Sequence, residues 1–352
     1  MLVESPPEQS GTPAVSAPPP PRGRSAVRGT GLVLAVVLLA ALCVASVAVG
    51  AKSMPIGHVW HGLFESTGTR DDVIVSDVRV PRTVLGLLVG AALGLAGAVM
   101  QALTRNPLAE PGLLGVNAGA AAAVVSAISF LGVSSFTGYV WFAFLGAAVV
   151  SAAVYVLGGS RGATPVRITL AGTAAGAVLY GYVNAVELLD SAALDRIRFW
   201  TVGSLASADM STVAKVWPFI AAGVVLSLLI ARPLNAMEMG DDTARALGAH
   251  LTRTRVLAMV AVTLLCGAAT AACGPIVFVG LMVPHLVRSI TGPDMRWILP
   301  YAAVLAPVLL LGSDVVGRVV ARPSEVQVGI VTALIGGPVF IALVRRRRMS
   351  KL

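Results

Sequence analysis

The segment Arg105-Asn106-Pro107-Leu108-Ala109-Glu110-Pro111 interrupts two long stretches of sequence that carry no charged residue. Residues 83–104 precede it, and the next charged residue after Glu110 is Arg161. Each proline fixes its own φ and disfavours the α conformation in the residue before it. The sequence therefore predicts two apolar helices that meet in a tight turn at a membrane surface.

The composition extends this prediction to the whole chain. Hydrophobic residues make up 56% of the 352 residues and charged residues only 12%, whereas about a quarter of a soluble domain is charged. An apolar stretch of about 20 residues crosses the hydrocarbon core as a helix. The chain is therefore predicted to be an all-α polytopic membrane protein with about ten transmembrane helices. The predicted spans are residues 31–51, 83–104, 113–131, 139–158, 168–188, 214–231, 256–273, 276–287, 298–315 and 328–344.

The basic residues predict the orientation of these helices. The formal net charge is +9, but the basic residues flank the apolar stretches, where they set topology and do not indicate nucleic-acid binding. Ten spans place both termini on one side of the membrane, and most of the 26 Lys and Arg residues fall on that side. The cluster Arg345–Arg348 is the strongest single anchor. Both termini are therefore predicted to be cytoplasmic.

Three regions differ in composition. Residues 1–30 are rich in proline, serine and arginine, and we expect them to form a disordered cytoplasmic tail. Residues 31–345 contain all the predicted spans and form the transmembrane domain. Residues 346–352 form a short basic cytoplasmic tail.

Small residues and a weak internal repeat predict how the spans are arranged. Gly86, Gly90, Gly94 and Gly97 form a stripe on the second span, and such stripes let helices pack closely in lipid. Gly172 and Gly176 do the same on the fifth span. Arg82-Thr83-Val84-Leu85 opens the second span and Arg255-Val256-Leu257 the seventh, and a proline-marked break follows each of these spans. The second and seventh spans are five spans apart. The repeat therefore predicts two inverted five-helix halves, an arrangement typical of transporters.

Two pairs of arginines lie on the predicted extracytoplasmic side. Arg79 and Arg82 precede the second span, and Arg318 and Arg322 follow the ninth. They could anchor helix ends among lipid headgroups. Alternatively, they could accept carboxylates from an extracytoplasmic partner, because arginine forms bidentate pairs with Asp and Glu. Residue type and spacing leave both interpretations open.

The longest predicted cytoplasmic loop, residues 232–255, contains a candidate docking helix. Asp241 or Asp242 can cap its first turn, and Gly248 can end it. The helix would place apolar side chains beside charges, which a docking helix for a cytosolic partner requires and a solvated loop does not. These two interpretations are equally open. The candidate coupling residues are Gly240, Asp241, Asp242, Ala244, Arg245, Leu247 and Gly248.

The sequence contains few residues suited to catalysis. None of the three lysines, Lys52, Lys215 and Lys351, follows the glycine that a Walker A phosphate loop requires. The three cysteines lie inside apolar stretches and are interpreted as small buried side chains. His285 is interpreted as a structural residue near a helix end. The chain is therefore predicted not to be an enzyme, and any ATP that powers it would be bound and hydrolysed by another subunit.

Several separated segments together resemble the permease subunits of the iron–siderophore, haem and vitamin B12 ABC importers, the FecCD type. The resemblance covers residues 55–345. It is carried by Arg79-Val80-Pro81-Arg82, the helix from Gly90 to Gln101, Arg105-Asn106-Pro107-Leu108-Ala109 with Pro111 and Leu114-Gly115, Gly119-Ala120, Gly240–Gly248, Gly274–Arg288, Asp314 with Arg318, and Glu325 with Gly329. The chain departs from the family pattern where Glu325-Val326-Gln327 replaces Glu-Leu-Pro, and where Ser313 replaces an alanine.

The resemblance implies a type II ABC importer permease in a bacterial plasma membrane. It implies a homodimer or a pair with a paralogous permease, two cytosolic ATPase subunits that bind the ATP, and an extracytoplasmic substrate-binding protein. The arginines that match the family's docking residues are Arg79, Arg82 and Arg318, and the loop Gly240–Gly248 would dock into the ATPase. Spans 168–188 and 328–344 would line the path. Arg105, Asn106, Pro107 and Pro111 are assigned to a structural hinge.

These expectations combine into one predicted function. The chain is expected to carry an iron–siderophore-type chelate into the cytoplasm by alternating access. The alternatives are a haem or cobalamin permease of the same family, or a secondary transporter that works alone. On this interpretation, Arg79→Glu combined with Arg82→Glu should abolish transport and leave expression intact.

Overall fold

The computed structural model describes residues 23–50, 68–133, 135–159 and 165–349, with five further positions between 54 and 62. Within these residues the chain is helical and contains no strand. Ten helices form a bundle. They are α1 (Gly23–Ala48), α2 (Val80–Thr104), α3 (Val116–Leu131), α4 (Phe136–Gly159), α5 (Pro165–Leu189), α6 (Met210–Leu229), α7 (Leu251–Cys273), α8 (Val279–Thr291), α9 (Met295–Val320) and α10 (Val328–Met349).

Each of the ten predicted spans corresponds to one of these helices, which confirms the predicted fold class. Seven helices are long and apolar enough to cross a membrane, and α3 and the apolar part of α10 are shorter. The boundaries differ most at the second span, where continuous helix starts at Arg70 and runs through a π-helical segment, Ile74–Arg79, into α2. They differ next at α1, which begins at Gly23 and not at residue 31, so that residues 23–30 of the predicted tail are helical. Residues 1–22 and 350–352 lie outside the described residues.

The bundle has two ends, which we name after the residues at the two ends of α2. The Arg82 end contains Arg82, the last turn of α1 and the start of α10. The Arg105 end contains Arg105, the described start of α1 and the end of α10. Successive helices from α1 to α10 alternate in direction between these ends.

Helix α2 lies at the centre of the bundle, and most of its side chains are buried. It packs against α9, α7 and α8. The predicted glycine stripe makes these contacts possible, because a Cβ on Gly90 would lie 2.6 Å from the Cα of Pro307 in α9. A Cβ on Gly94 would meet the carbonyl of Ala302 at 2.5 Å. Close approach through small residues is the usual way in which membrane helices pack.

Helices α2 and α7 run in opposite directions and end in comparable breaks, as the inverted repeat predicts. Arg105 ends α2 in the left-handed conformation with φ of 50°, and Gly274 ends α7 with φ of 76°. Helix α8 starts after Phe278, whose φ is 68°. The short helix Pro111–Leu114 lies between α2 and α3.

Besides Pro111–Leu114 and the helical turns that lead into α2, the described residues include three short helices at the ends of the bundle with no counterpart among the predicted spans. Ser191–Thr201 lies at the Arg82 end, capped by Asp190, whose carboxylate accepts from the backbone N–H groups of Ala192 and Ala193 at 3.1 Å. Ala231–Glu238 and Asp241–Ala246 lie at the Arg105 end. Only the third was foreseen, as the candidate docking helix.

Candidate functional site

The Arg105–Pro111 segment turns the chain between α2 and α3, where the two prolines predict a turn. After the left-handed Arg105, the Asn106 side-chain oxygen accepts a hydrogen bond from the backbone N–H of Leu108 at 3.0 Å. Pro111 then opens the short helix Pro111–Leu114, whose first N–H would have no partner in any case. Local sequence chemistry therefore explains the whole turn.

Glu110 is a feature of this turn that the sequence did not single out. Burial raises the pKa of its carboxyl group, because the charged form loses water on burial. It lies close enough to Tyr180 of α5 and Cys266 of α7 to interact with them electrostatically. The turn thus carries a carboxyl group that is easier to protonate than an exposed one.

The short helix Asp241–Ala246 forms in the predicted docking loop but has a different cap. Gly240, with φ of 108°, occupies the cap position, and no side chain caps the helix. The prediction that Asp241 or Asp242 caps it was wrong because both are inside the helix. Its end is as predicted, since Gly248 is left-handed at φ of 78° and donates to the carbonyl of Arg245 at 2.9 Å.

The Asp241 carboxylate joins this short helix to the bundle. One oxygen pairs with Arg105 at the end of α2, and the other accepts from Arg255 in the first turns of α7 at 2.7 Å. Burial alone would raise the pKa of Asp241, but the hydrogen bonds from the two arginines outweigh it and hold the pKa below its usual value. The candidate coupling loop and the candidate hinge are therefore in direct contact.

The other coupling residues divide between the interior and the surface. Ala244 is buried, whereas Leu247 is 63% exposed, and the nearby Met239, which precedes the helix, is 65% exposed. Asp242 and Arg245 form an exposed pair at 3.0 Å. The helix therefore attaches through one face and presents apolar and charged groups on the other.

The helix Ala231–Glu238 braces the same end. Asn235 donates to Asp294 at 2.8 Å and accepts from the backbone N–H of Met295 at 2.8 Å, at the start of α9. The pKa of Asp294 falls to about 2, mainly because Arg296 donates hydrogen bonds to its carboxylate. Glu238 pairs with Arg288 of α8 at 2.7 Å. A cavity of about 250 Å³ lies here, lined by Gln101, Arg105, Pro107, Glu238 and Arg288.

At the opposite end, Arg82 binds two carboxylates of this chain. Its Nε lies 3.0 Å and its Nη2 2.8 Å from the oxygens of Asp314 in α9. Its Nη1 lies 2.7 Å from Glu325, in the segment before α10. Arg318 completes the cluster with an Nη2 that lies 3.0 Å from Asp314.

Three arginines also bind the carbonyl groups at the end of α1. Arg79 donates to Val47 and Ala48 at 2.7 and 2.9 Å. Arg318 donates to Ser46 and Val49, and Arg322 donates to Gly50. The last carbonyls of a helix have no partner within it and carry partial negative charge, so that cations stabilise them.

These contacts place the three predicted docking arginines inside the protein. Arg79 and Arg82 are each 6% exposed and Arg318 is 2% exposed, so they do not form the exposed basic surface that the sequence suggested. Their predicted role in binding a partner stays a prediction. The sequence contains one sign of the pairing between these arginines and Asp314. A charge buried among apolar helices requires a partner of opposite charge, and Asp314 is a carboxylate at the end of an apolar span.

A second cavity of about 430 Å³ opens beside this cluster at the Arg82 end. Its walls come from the Arg82–Glu325 pair, the segment after it, the end of α7 and the turn after the helix Ser191–Thr201. The lining residues are Arg82, Tyr139, Trp200, Ser204, Ala206, Ser207, Cys273, Glu325, Val326 and Gln327. The cavity is therefore bounded by several elements that the sequence alone does not bring together.

Comparison with known proteins identifies the family to which this arrangement belongs. The model of the FecCD transport family matches residues 38–346, which is nearly all of the transmembrane bundle. The chain belongs to the FecCD transport family. It is a transmembrane permease of the ABC transporter type, as the sequence resemblance suggested.

Individual relatives match over almost their full length. The ferric enterobactin transport system permease protein of Escherichia coli (strain K12) is 46% identical over 325 residues, 92% of this chain and 96% of that protein. A probable siderophore transport system permease of Bacillus subtilis (strain 168) is 39% identical and covers 88% of this chain and 93% of its own. The hemin transport system permease protein of Yersinia pestis is 36% identical, and the match covers 90% of this chain and 95% of that protein.

A solved structure supports the same assignment of the fold. An inward-facing structure described as a metal-chelate type ABC transporter superimposes with a TM-score of 0.80 at 26% identity. It covers 90% of this chain and 99% of its own. The helix bundle of this permease is therefore that of a known ABC transporter.

Proposed function

We propose that this permease carries an iron–siderophore-type chelate into the cytoplasm as part of an ABC importer. The siderophore assignment is supported by the relatives, because the ferric enterobactin permease is 46% identical, whereas a hemin permease and a cobalamin permease are 36% and 37% identical. Substrate selectivity would depend partly on a binding protein that delivers the chelate.

The Arg105 end is assigned to the cytoplasm. It collects Arg105, Arg245, Arg255 and Arg288, together with the arginines that end α10. An excess of Lys and Arg on one side of a membrane protein marks the cytoplasmic side. Both termini would then be cytoplasmic, and the Arg82 end would face outward in a bacterial plasma membrane.

The observation that carries the proposal is the Asp241 contact with Arg105 and Arg255. A separate ATPase subunit that binds the exposed face of the helix Asp241–Ala246 would move Asp241, and with it the ends of α2 and α7. Since α2 lies at the centre of the bundle, a movement of its end changes the packing of α9 and α8. Two ATPase subunits that close on ATP could thereby drive alternating access.

We assign the translocation path of the chelate to the surfaces of α5 and α10, which would face a second permease subunit. Gly176 and Gly181 on α5 and Gly337 on α10 have no neighbouring atom within 4 Å of an added Cβ. Leu188 and Leu189 of α5 are each 89% exposed. These open, apolar surfaces leave room for a large chelate and for a second permease subunit, which would be an identical or a paralogous chain.

Reconstitution in liposomes tests this function. The chain is combined with the candidate ATPase and extracytoplasmic binding protein of its source bacterium, and uptake of radiolabelled ferric enterobactin as the siderophore complex is compared with uptake of haem and cobalamin. ATP-dependent uptake of the siderophore complex is expected. Uptake of haem or cobalamin in its place would overturn the substrate, and uptake by the chain alone under an ion gradient would overturn the ABC assignment.

A further inference from the structure

We propose that Glu325 occupies Arg82 as an internal carboxylate, and that an acidic group of the extracytoplasmic binding protein displaces it. The displacement frees the segment that leads into α10. This inference rests on the proposed function, because it assumes that a binding protein docks at the Arg82 end.

The two carboxylates on Arg82 are not equivalent. The Asp314 side chain is fully buried and receives three hydrogen bonds from Nε and Nη2 of Arg82. The Glu325 side chain is 33% exposed and receives one bond, from Nη1. A carboxylate that is partly hydrated and held by one bond exchanges far more readily than a buried one held by three. Glu325 is therefore the ligand of Arg82 that a competitor can replace.

The surroundings of Glu325 provide space for such a competitor. The cavity of about 430 Å³ is lined by both Arg82 and Glu325, so an incoming carboxylate can approach Nη1 from the cavity while Glu325 turns toward water. Arg79, Arg82 and Arg318 interact electrostatically within this cluster, and Asp314 and Glu325 are the carboxylates that act on Arg318 there. Arg79 also interacts with Asp71, so three arginines face three carboxylates here, and an incoming carboxylate that replaces Glu325 on Arg82 keeps this balance.

Glu325 is connected to three helices through the backbone that follows it. The N–H of Val326 donates to the carbonyl of Gly317 in α9 at 3.1 Å, and the N–H of Gly329 donates to the carbonyl of Gly203 at 3.1 Å. The next residue of that turn, Ser204, donates to the carbonyl of Cys273 at the end of α7 at 2.8 Å. A release of Glu325 would therefore loosen contacts that join α10 to α9 and α7, next to the proposed path.

A plain structural brace predicts the opposite effect on partner binding. If Glu325 only holds the segment in place, its removal should weaken or leave unchanged the affinity for the binding protein. If Glu325 competes with the partner for Arg82, its removal should increase that affinity. The two roles can be separated by measuring affinity and local opening in the same variants.

Cys273 supplies a native reporter of opening. It lines the cavity, it is 2% exposed, and its thiol donates to the carbonyl of Ala269. In a Cys43→Ser, Cys266→Ser background, the permease is placed in lipid nanodiscs and labelled with a membrane-impermeant maleimide. Glu325→Gln and Glu325→Ala should each increase the labelling rate of Cys273 several-fold without any partner. Asp195→Asn, which removes an exposed pair on the helix Ser191–Thr201, is the matched control and should label like the parent.

Affinity for the binding protein that supports uptake in the liposome experiment is measured on the same nanodiscs. We expect Glu325→Gln to bind it about tenfold more tightly, and the bound protein to increase Cys273 labelling in the parent but not further in Glu325→Gln. Unchanged labelling in both Glu325 variants would overturn the inference, whatever the partner does. Increased labelling with unchanged or weaker affinity would also overturn it, whereas a failure of the parent to import any chelate would refute the proposed function separately.

Discussion

Each end of the bundle has an aspartate that bridges two arginines, and the two bridges differ in exposure. Asp314 joins Arg82 and Arg318, with side chains that are 0%, 7% and 2% exposed. Asp241 joins Arg105 and Arg255, with side chains that are 32%, 35% and 13% exposed. The chemistry is the same, but the buried bridge cannot exchange its partners for water, whereas the exposed one can. The Arg82 end therefore contains a fixed connection and the Arg105 end a connection that can move.

The largest difference between the two bridges is expected in stability. Asp314→Asn would leave Arg82 and Arg318 buried without their shared carboxylate, and breaking a buried ion pair costs about 3–5 kcal/mol. Thermal unfolding of the purified protein in nanodiscs measures this loss. Asp195→Asn removes an exposed pair with Arg198 and should cost less than about 1 kcal/mol. An Asp314→Asn protein as stable as this control would show that the buried bridge is not a fixed connection.

The same burial corrects an expectation from the sequence. Charge reversal at Arg79 and Arg82 was expected to abolish transport and leave expression intact. In the structure, Arg82→Glu would place a third carboxylate beside Asp314 and Glu325, and Arg79→Glu would face the carbonyls of Val47 and Ala48. Loss of the folded protein is now expected, so that this double variant cannot test partner docking.

The exposed bridge should affect transport more than stability. Asp241→Lys places an ammonium group between Arg105 and Arg255, which should repel the helix Asp241–Ala246 from the ends of α2 and α7. We expect uptake to fall at least about tenfold, within the usual range of coupling between two sites, with little change in the unfolding temperature. ATP-dependent uptake in liposomes and ATPase activity of the complex measure the effect.

The neighbouring residue provides a matched control for this variant. Asp242 is adjacent in sequence and fully exposed, and among the described residues it pairs with Arg245, so Asp242→Lys makes the same charge change without touching the bridge. Asp242 lies on the face that the ATPase would bind, so Asp242→Lys should weaken binding of the ATPase, whereas Asp241→Lys should keep the ATPase bound and lose uptake. Equal losses of ATPase binding in the two variants would mean that surface charge on this helix matters and the bridge does not.

Sequence patterns predicted the fold well because they act locally. The apolar stretches, the prolines of the Arg105–Pro111 turn and the glycine stripe of α2 each impose a structure on nearby residues. The bridges could not be predicted in the same way. Arg82 and Asp314 are 232 residues apart and Arg105 and Asp241 are 136 apart, so their contact depends on how α2 packs against α9 and α7. Buried charge implies that a partner exists but does not say which carboxylate it is.

The short helix Ser191–Thr201 was missed for a related reason. Its residues include Asp195, Arg196 and Arg198, so it has no apolar stretch that predicts a span, and it lies at the end of the bundle. Its turn after Trp200 nevertheless connects the end of α7 to the start of α10 through Gly203 and Ser204. In the sequence, Glu325 matches only a family pattern, and its contact with Arg82 is visible only in three dimensions.

The smallest expected effect is a weakening of the exposed bridge in acid. The pKa of Asp241 in the folded protein is below its usual value, so the bridge stabilises the folded state above the unfolded pKa of about 3.9. This contribution is lost as the pH falls through the lowered folded pKa, and it is worth at most about 1 kcal/mol because the pair is solvated. A spin label on Leu247→Cys should therefore become more mobile below about pH 4. In an Asp241→Asn background the label should already be mobile at neutral pH and respond little to acid. If both proteins showed the same pH profile, the mobility would report another group, and Asp241 would not hold this helix to α2 and α7.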